Sequence, residues 1–522
     1  MENQIIQNFG KIYRCLTVIL VKITLPDNSV IFKKIIVIDA HSHLGSDIDS
    51  VSNMNPLAPG GTYNFYIETQ SKVEKESVLN YQLSINGKVH RFEFKFIPMP
   101  FIYNVFKFLK ERNSSNYSTV FDKMDGGWLI DHGVCFPFQD TFRDNKPEAQ
   151  YRASNLNIAR FSTHFPNSMR LIGYCRVNPR QTQAPDEVDY AINTLGLRGL
   201  KLHPRSDGWT DEISADFAVK VLITAAKNSI PVIFDTRGAQ SIIDIQELVH
   251  KTRNQLKKNA PELINHLKVI VAHCAMGYIG NEEVYRVISD PNIWGEISML
   301  HGKGTHDFFL SFMNWYKQNI PNASRSWSEK LLFGTDFPYF TPFHAKDNIK
   351  FLISQDFIQN GGTLTDAENI LGLNLIKLLS PYSLQKKLKK DEYTSHSHVY
   401  LWGNSNEQLY ENAAFLIAKL IENKRLDISQ INFMFSNNFS NLSDNILIHG
   451  VINTKKKTRI LIHNFLDNKL LLCSTLDPDT KWNYFGFKYF NPNDQAFFQK
   501  AFSINSTHNF DEQYQIFNRN LL

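Results

Sequence analysis

The sequence has few cysteines and no long apolar run. Its 522 residues include five cysteines, which are scattered and free of any Cys-x-x-Cys spacing. This pattern predicts reduced thiols and argues against a disulfide framework or a zinc ribbon. The apolar run at residues 15–21 is too short for a membrane span, and no small-residue cleavage site follows it. We therefore expect a cytoplasmic protein.

Charge of either sign is also limited. Lys and Arg number 56 against 51 Asp and Glu, which gives a formal net charge of +5. No long basic stripe is present, and the short run at residues 386–390 is expected to solvate a linker, so nucleic acid and membrane partners are not predicted. A hydrophobic fraction of 43% and a charged fraction of 20% are typical of a globular protein. The expected partner is a small-molecule substrate, and a homo-oligomer is compatible with this composition.

The most informative stretch is residues 35–45, an apolar run that ends in two histidines and a glycine. Because it lacks a helical period, it predicts a buried strand, and side chains two residues apart on a strand point to the same side. His41 and His43 can therefore bind one metal ion together. The spacing alone is a weak indication, because His396 and His398 repeat it in a predicted linker.

Short apolar runs alternate with longer segments over much of the chain. Besides the run at 35–39, the apolar runs span 128–136, 171–177, 197–203, 231–235, 268–273, 293–299 and 331–336. Segments long enough for helices lie between them, among them 149–164, 211–228, 240–259 and 308–318. Eight strand–helix units predict an α/β fold, a (β/α)8 TIM barrel, whose chemistry lies at the carboxyl ends of the strands.

Two β-rich regions surround the first barrel strand. Residues 1–34 are predicted to form an N-terminal β-hairpin packed on the barrel, which itself spans residues 35–380. Residues 46–125 are predicted to be an insertion after the first strand. The Asn86-Gly87 dipeptide indicates a hairpin within it. We expect this hairpin to lie over the end of the first strand, where a lid would lie.

The barrel is predicted to end before a second domain. A capping box at Thr365 and Glu368 predicts a last helix that runs to Leu379. Residues 381–397 have the composition of a linker. Residues 398–522 then predict a separate α+β domain of unknown role, with a strand at 398–402, a helix at 405–423 and a hairpin formed by 446–452 and 458–464.

Ionisable residues stand at the ends of the predicted barrel strands. They are His41, His43, Lys201, His203, Asp235, His273 and Asp336. In a barrel all of them would line one mouth. A carboxylate opposite paired imidazoles can bind a metal ion and can also receive a proton from its water. The pattern therefore predicts a metal site.

The motifs at these positions resemble the amidohydrolase superfamily, and in particular the branch that includes aminocarboxymuconate-semialdehyde decarboxylase. They are Asp39-x-His41-x-His43, RLIGY at 170–174 with VNP at 177–179, GLKLHP at 199–204, Ala272-His273 and FGTDFP at 333–338. The resemblance covers residues 35–380 and leaves out the insertion and the C-terminal domain. It implies a metal-dependent TIM-barrel enzyme.

The resemblance also implies roles for individual residues. His41, His43 and Asp336 would bind one divalent metal ion, with zinc favoured and manganese as the alternative. Asp336 would also move a proton in catalysis, and His273 would hold the attacking water or polarise the substrate. The predicted substrate-binding residues are Lys201, His203 and Arg237.

Two positions leave alternatives open. The fifth strand of that branch usually ends in a metal-binding histidine, whereas this chain has Asp235. Its carboxylate can be a fourth metal ligand, which would favour harder ions, or it can pair with Arg237. Lys201 can be a carboxylated lysine that bridges two metals, as in some superfamily members, or a cation that compensates Asp235 or Asp336.

The leading hypothesis for function is a metal-dependent hydrolase that acts on an amide, ester or lactone of a small molecule through a metal-activated water. A second hypothesis is non-oxidative decarboxylation with the same metal site. A third is a catalytically inactive barrel that serves as a binding or scaffold module, which the altered fifth strand favours.

Overall fold

Strands and helices alternate along most of the computed structural model, which describes residues 17–45, 60–98, 129–138, 151–162, 171–274 and 279–379 and five later strands. The strands are β1 (Thr17–Thr24), β2 (Val30–Ile35), β3 (Val37–His43), β4 (Asn80–Ile85), β5 (Lys88–Pro98), β6 (Ile130–Phe136), β7 (Leu171–Arg176), β8 (Gly199–Leu202), β9 (Pro231–Phe234), β10 (Lys268–Val271), β11 (Ile293–Glu296), β12 (Leu331–Leu332), β13 (Ser397–Leu401), β14 (Ile431–Phe435), β15 (Ile446–Asn453), β16 (Arg459–Phe465) and β17 (Leu470–Thr475). The α-helices are α1 (Gly60–Glu76), α2 (Arg152–Ser162), α3 (Ala184–Asn193), α4 (Asp216–Asn228), α5 (Ala239–Asn259), α6 (Glu282–Ile288), α7 (Gly302–Asn319), α8 (Pro342–Leu352), α9 (Gln355–Gln359), α10 (Leu364–Glu368) and α11 (Asn374–Leu378).

Eight parallel strands form one sheet in the order β3, β6, β7, β8, β9, β10, β11, β12. Backbone hydrogen bonds close this sheet into a barrel. The Ala40 N–H donates to the Phe333 carbonyl at 2.9 Å, and the Asp336 N–H donates to the His41 carbonyl at 2.7 Å. The predicted TIM barrel is therefore confirmed: seven of the eight apolar runs contain one of its strands, and the run at 35–39 overlaps the first part of β3.

The last helical segment closes the amino end of the barrel. Its capping box uses Thr363 and Asp366, so the prediction of Thr365 and Glu368 was wrong by two residues. Those two side chains instead bind Lys33 of β2, at 2.7 Å and 2.9 Å. At the other end of the segment, buried lysine and arginine side chains from the barrel donate to its last carbonyls, Lys268 to Leu378 and Arg198 to Leu379.

The insertion hairpin is present, but it does not lie where a lid would lie. Asn86 and Gly87 have φ values of 53° and 74°, as a two-residue type I′ turn requires. β5 pairs along β1, which joins both hairpins into one antiparallel sheet with the order β2-β1-β5-β4. Tyr81 of β4 donates to the carbonyl of Ile353, beyond the end of α8. The lid position was wrong, because β5 pairs with β1 and this pairing covers one edge of each hairpin away from the site.

Helix α1 was not predicted from the sequence, because Pro59-Gly60-Gly61 has the composition of a turn. The helix buries Tyr63, Tyr66 and Val73 against the barrel. The helix expected near residues 102–110 lies outside the described residues.

Beyond the barrel, β14-β13-β15-β16-β17 form a third sheet, the C-terminal sheet, in which β13 and β14 are parallel and the other pairs are antiparallel. The predicted strand at 398–402 and the hairpin at 446–464 are confirmed within a residue or two. The helix expected at 405–423 and nearly all of the linker lie outside the described residues. Among the helices that the structure describes, none has the length and apolarity needed to cross a bilayer.

Candidate metal centre

Two histidines of β3 converge on one oxygen of Asp336. His41 Nε2 lies 3.1 Å and His43 Nε2 lies 3.3 Å from Asp336 Oδ1, and all three side chains are buried. Two donors that each lie about 2.1 Å from one tetrahedral ion are about 3.4 Å apart. Each of these two contacts therefore has the spacing of neighbouring ligands of one metal ion.

The second oxygen of Asp336 faces a different group. His273 Nε2 lies 3.8 Å from Asp336 Oδ2 and 3.4 Å from Asp235 Oδ1. Ligand atoms of His41, His273 and Asp336 all lie within 4.8 Å of one another. His273 is thus placed as a potential donor to the centre, in addition to the catalytic role predicted for it.

Asp235 points into the site, and its contact with Arg237 is long. Arg237 Nε lies 3.6 Å from Asp235 Oδ2, beyond hydrogen-bonding distance, and the arginine side chain is 39% exposed. His203 Nδ1 lies 3.5 Å from the same oxygen but accepts the Ser206 N–H at 3.2 Å. Asp235 Oδ2 is buried and has no hydrogen-bond partner among the described residues. A buried carboxylate oxygen in this state fits a position beside a cation.

Lys201 is a fully buried cation at the centre of the site. Its Nζ lies 3.3 Å from His41 Nε2 and 4.7 Å from the centre of the Phe136 ring. Burial lowers the pKa of Lys201 to about 8, although the carboxylates of Asp235 and Asp336 oppose this shift. Lys201 therefore lies among the predicted metal ligands, where both alternatives for its role would place it.

The ionisation of His43 and Asp336 suits metal binding, whereas for His41 burial and Lys201 lower the pKa but the carboxylates of Asp336 and Glu296 outweigh them and raise it. Burial lowers the pKa of His43 to about 4, so its imidazole is neutral at neutral pH. Burial raises the pKa of Asp336, but the charges of His41 and His273 outweigh it and hold this pKa well below its usual range. Neutral imidazole and ionised carboxylate are the forms that bind a metal ion.

Glu296, the last residue of β11, and Ser298, two residues later, were missed in the sequence. The buried Glu296 Oε2 lies 2.9 Å from His41 Nδ1 and accepts the Ser298 hydroxyl at 2.8 Å. Ser298 Oγ in turn lies 2.8 Å from His273 Nδ1. The available signal was an acidic residue inside the apolar run at 293–299. It was overlooked because the predicted strand ran to residue 299, whereas β11 ends at Glu296.

Asp39 holds the backbone beneath the site. Its Oδ1 accepts the N–H groups of His41 and Thr335, each at 2.9 Å. Its Oδ2 accepts the Tyr66 hydroxyl of α1 at 2.9 Å and the Thr335 hydroxyl at 2.6 Å. Asp39 therefore fixes the first strand of the barrel relative to the segment that carries Asp336.

Seven of the eight predicted site residues thus come together around Asp336, and Arg237 lies at the edge of this group. Aromatic side chains flank His43, which stacks on Phe138 with ring centres 4.9 Å apart and meets the edge of Tyr339 at 5.2 Å. Phe138 is buried and Tyr339 is 49% exposed, so these aromatic side chains extend from His43 to the surface.

Comparison with known proteins places this site in a family. Residues 130–379 match the family model described as Amidohydrolase. The matched region contains Lys201, His203, Asp235, His273 and Asp336, and the fold adds His41 and His43 from β3. No match to a curated protein was found for the chain.

Solved structures with some similarity include two 5-carboxyvanillate decarboxylases. The one from Sphingomonas paucimobilis has 11% identity over 48% of this chain and 79% of its own, with a TM-score of 0.34. The one from Novosphingobium aromaticivorans, with bound manganese, has 11% identity over 50% and 80%, with a TM-score of 0.35. An uncharacterised TIM-barrel protein from Bordetella bronchiseptica has 15% identity over 66% and 99%, with a TM-score of 0.35. The family match, in agreement with the motifs, shows that residues 130–379 belong to the amidohydrolase family.

Proposed function

We propose that this protein is a cytoplasmic, metal-dependent hydrolase that cleaves an amide, ester or lactone bond of a small molecule. The observation that carries the proposal is the convergence of His41 Nε2 and His43 Nε2 on Asp336 Oδ1, at 3.1 Å and 3.3 Å. A histidine pair that only packs in the core, or an ion pair at the surface, would not need two buried imidazole nitrogens beside the same carboxylate oxygen.

The ligands of the ion would be His41, His43 and Asp336, with Asp235 as a further donor. Zinc suits two imidazoles and a carboxylate, and the second carboxylate makes manganese the alternative. A bound divalent ion would supply a lowered pKa for water and polarisation of the scissile carbonyl.

The protein's own side chains would orient the reactants and move protons. Asp336 Oδ2, which is not shared with the histidines of β3, can accept a proton from the attacking water. His273 Nε2 lies 3.8 Å from that oxygen and can stabilise charge that develops on the substrate. Lys201, His203 and Arg237 would bind the substrate.

Non-oxidative decarboxylation is the second candidate, and one observation favours it. The guanidinium of Arg237 is partly exposed at the edge of the site and makes only a long contact with Asp235. It is therefore free to bind a substrate carboxylate in a bidentate manner. The hypothesis of a catalytically inactive barrel was based on the altered end of the fifth strand. Asp235 at that position lies within the site, 3.4 Å from His273, and so no longer favours that hypothesis.

Elemental analysis of the purified full-length protein tests the metal site. We expect about one divalent ion per chain and its loss from the His41→Ala/His43→Ala variant, because that variant removes two ligands. The His396→Ala/His398→Ala variant is the matched control, since it removes a pair with the same spacing. Undiminished metal in the first variant would contradict the assignment.

The reaction class is tested with the metal-loaded protein and panels of small amides, esters, lactones and carboxylic acids. A hydrolase incorporates ¹⁸O from labelled water into its product, whereas a decarboxylase releases carbon dioxide. Carbon dioxide release without hydrolysis would favour the second candidate.

A further inference from the structure

We infer that the ring direction of His43 in the candidate centre is set by aromatic packing rather than by a hydrogen bond. The positioning residues are Phe136, Phe138 and Tyr339, which we call the aromatic box. The consequence for metal binding rests on the proposed function. The packing of the imidazole itself is also a property of the metal-free protein.

His43 differs from the other imidazoles of the centre in the contacts of its second ring nitrogen. His41 Nδ1 lies 2.9 Å from Glu296 Oε2. His273 Nδ1 lies 2.8 Å from Ser298 Oγ. In contrast, His43 Nδ1 is buried and has no hydrogen-bond partner among the described residues. A metal-binding histidine usually has such a partner, which fixes the direction of its ring, so His43 needs another means of orientation.

The aromatic box surrounds the His43 ring on three sides. The Phe138 ring stacks on it, with ring centres 4.9 Å apart and an angle of 24° between the planes. Phe136 and Tyr339 lie nearly perpendicular to it, with ring centres at 4.7 Å and 5.2 Å. Phe138 also packs against Tyr339 at 5.9 Å. Stacked and perpendicular contacts at these distances are favourable, so the box gives the imidazole a preferred position.

The box restricts rotation of the imidazole. The torsion about the bond from Cβ to a histidine ring has broad minima, so the side chain alone does not set the ring direction. In the observed orientation His43 Nε2 lies 3.3 Å from Asp336 Oδ1. Rotation about that bond would break the stack on Phe138 and would carry Nε2 away from Asp336. The box therefore keeps this nitrogen directed at the oxygen that His41 also approaches.

Backbone contacts fix two of the three rings relative to the predicted ligands. Phe136 lies opposite His43 where β3 pairs with β6, and its carbonyl accepts the Leu44 N–H at 3.1 Å. The Tyr339 N–H donates to the Asp336 carbonyl at 2.9 Å. Phe136 is fully buried, whereas Tyr339 is 49% exposed. Tyr339 is therefore the position at which the box can be changed without opening the core.

The test replaces rings of the box in the full-length protein. Phe138→Leu and Tyr339→Leu remove a ring, whereas Tyr339→Phe keeps the ring and is the matched control. Phe92→Leu is a second control, because Phe92 of β5 is buried and stacks on Tyr81 of β4 at 5.2 Å. Crystal structures of the metal-free proteins show the conformer of His43. We expect one conformer in the wild type and both controls, and more than one in Phe138→Leu and Tyr339→Leu.

Cobalt binding is the second readout, because the visible spectrum of bound Co²⁺ reports the number and geometry of its ligands. For Phe138→Leu we expect an altered spectrum and a decrease in affinity of about 10–100-fold, as is usual when a group that orients a metal ligand is lost. For Tyr339→Leu we expect a decrease of about 2–10-fold, because only one edge contact is removed. Tyr339→Phe and Phe92→Leu should keep the wild-type spectrum and affinity.

A single His43 conformer and the wild-type cobalt spectrum in both Phe138→Leu and Tyr339→Leu would overturn the inference. Several His43 conformers in the wild type would overturn it equally. If Phe138→Leu does not fold, Tyr339→Leu decides alone, because its side chain is exposed. A wild type that binds neither zinc nor cobalt would contradict the proposed function, and the conformer of His43 in Tyr339→Leu would then support or overturn the inference by itself.

Discussion

Asp235 is the residue at which this chain and the family pattern differ. Its Oδ1 faces His273, and its Oδ2 is buried without a hydrogen bond among the described residues. An ion pair with Arg237 at 3.6 Å contributes little to stability, because the arginine side chain is 39% exposed to solvent. The geometry therefore favours a ligand over a salt bridge, although the role itself remains a prediction.

The first prediction concerns substitutions of Asp235. Asp235→Ala should reduce metal affinity by more than about 100-fold, because it removes a charged donor rather than a group that supports one. Asp235→His should restore binding by supplying the imidazole usual in that branch. Metal affinity and melting temperature are measured for both variants, with Arg237→Ala as the control. Retained metal with a lowered melting temperature in Asp235→Ala would rule out ligation.

The sequence could predict which residues stand at the strand ends, because period and strand termination are local features. The sequence could not predict which other side chains contact these strand-end residues. Glu296 is 255 positions from His41 in the chain, and no local pattern indicates such a contact. The same applies to Tyr66, whose helix was not recognised.

At the scale of elements, α1 connects the insertion to the predicted metal ligands on β3. Tyr66 of this helix donates to Asp39, which accepts the N–H of His41 and that of Thr335. The contact is close, because a Cβ at Gly133 of β6 would overlap the Tyr66 hydroxyl. A helix that the family resemblance does not cover thus supports the backbone of the site.

The second prediction tests this connection. Tyr66→Phe should lower the free energy of unfolding by about 1–3 kcal/mol, because it removes a buried hydrogen bond to a carboxylate. It should also weaken metal binding, since Asp39 holds the backbone of His41. Denaturant unfolding and metal competition measure both effects. Tyr81→Phe, which removes a hydrogen bond to Ile353 far from the site, should reduce stability alone. Equal metal affinity in the two variants would contradict the connection.

The type of each element was easier to predict from the sequence than the strand with which it pairs. The turn at Asn86-Gly87 fixed the insertion hairpin, because few residues adopt two successive positive φ values. The pairing of this hairpin with β1 joins residues that are more than sixty positions apart in the chain, so no local sequence pattern could predict it. The capping box was misplaced because Thr363 and Thr365 both precede an acidic residue by three positions.

For the whole molecule, the question is whether the barrel is complete without the C-terminal sheet. Its first and last strands are joined by backbone hydrogen bonds between residues 40–43 and 333–337. Its amino end is covered by the segment that ends at Leu379, whose final carbonyls bind Lys268 and Arg198. Nothing in these contacts requires residues beyond 379.

The third prediction follows from this closure. Removal of residues 390–522 should leave a soluble chain that melts cooperatively and binds metal, because every donor of the site lies before residue 337. A chain that ends at residue 368 is the matched control. It lacks the Ile370 carbonyl that accepts the Phe333 N–H and the Asn374 side chain that binds Ser328 and Leu331, so it should fail to fold. Calorimetry and metal analysis distinguish the two chains. Aggregation of every chain that ends between residues 381 and 397 would mean that the C-terminal domain covers apolar surface of the barrel.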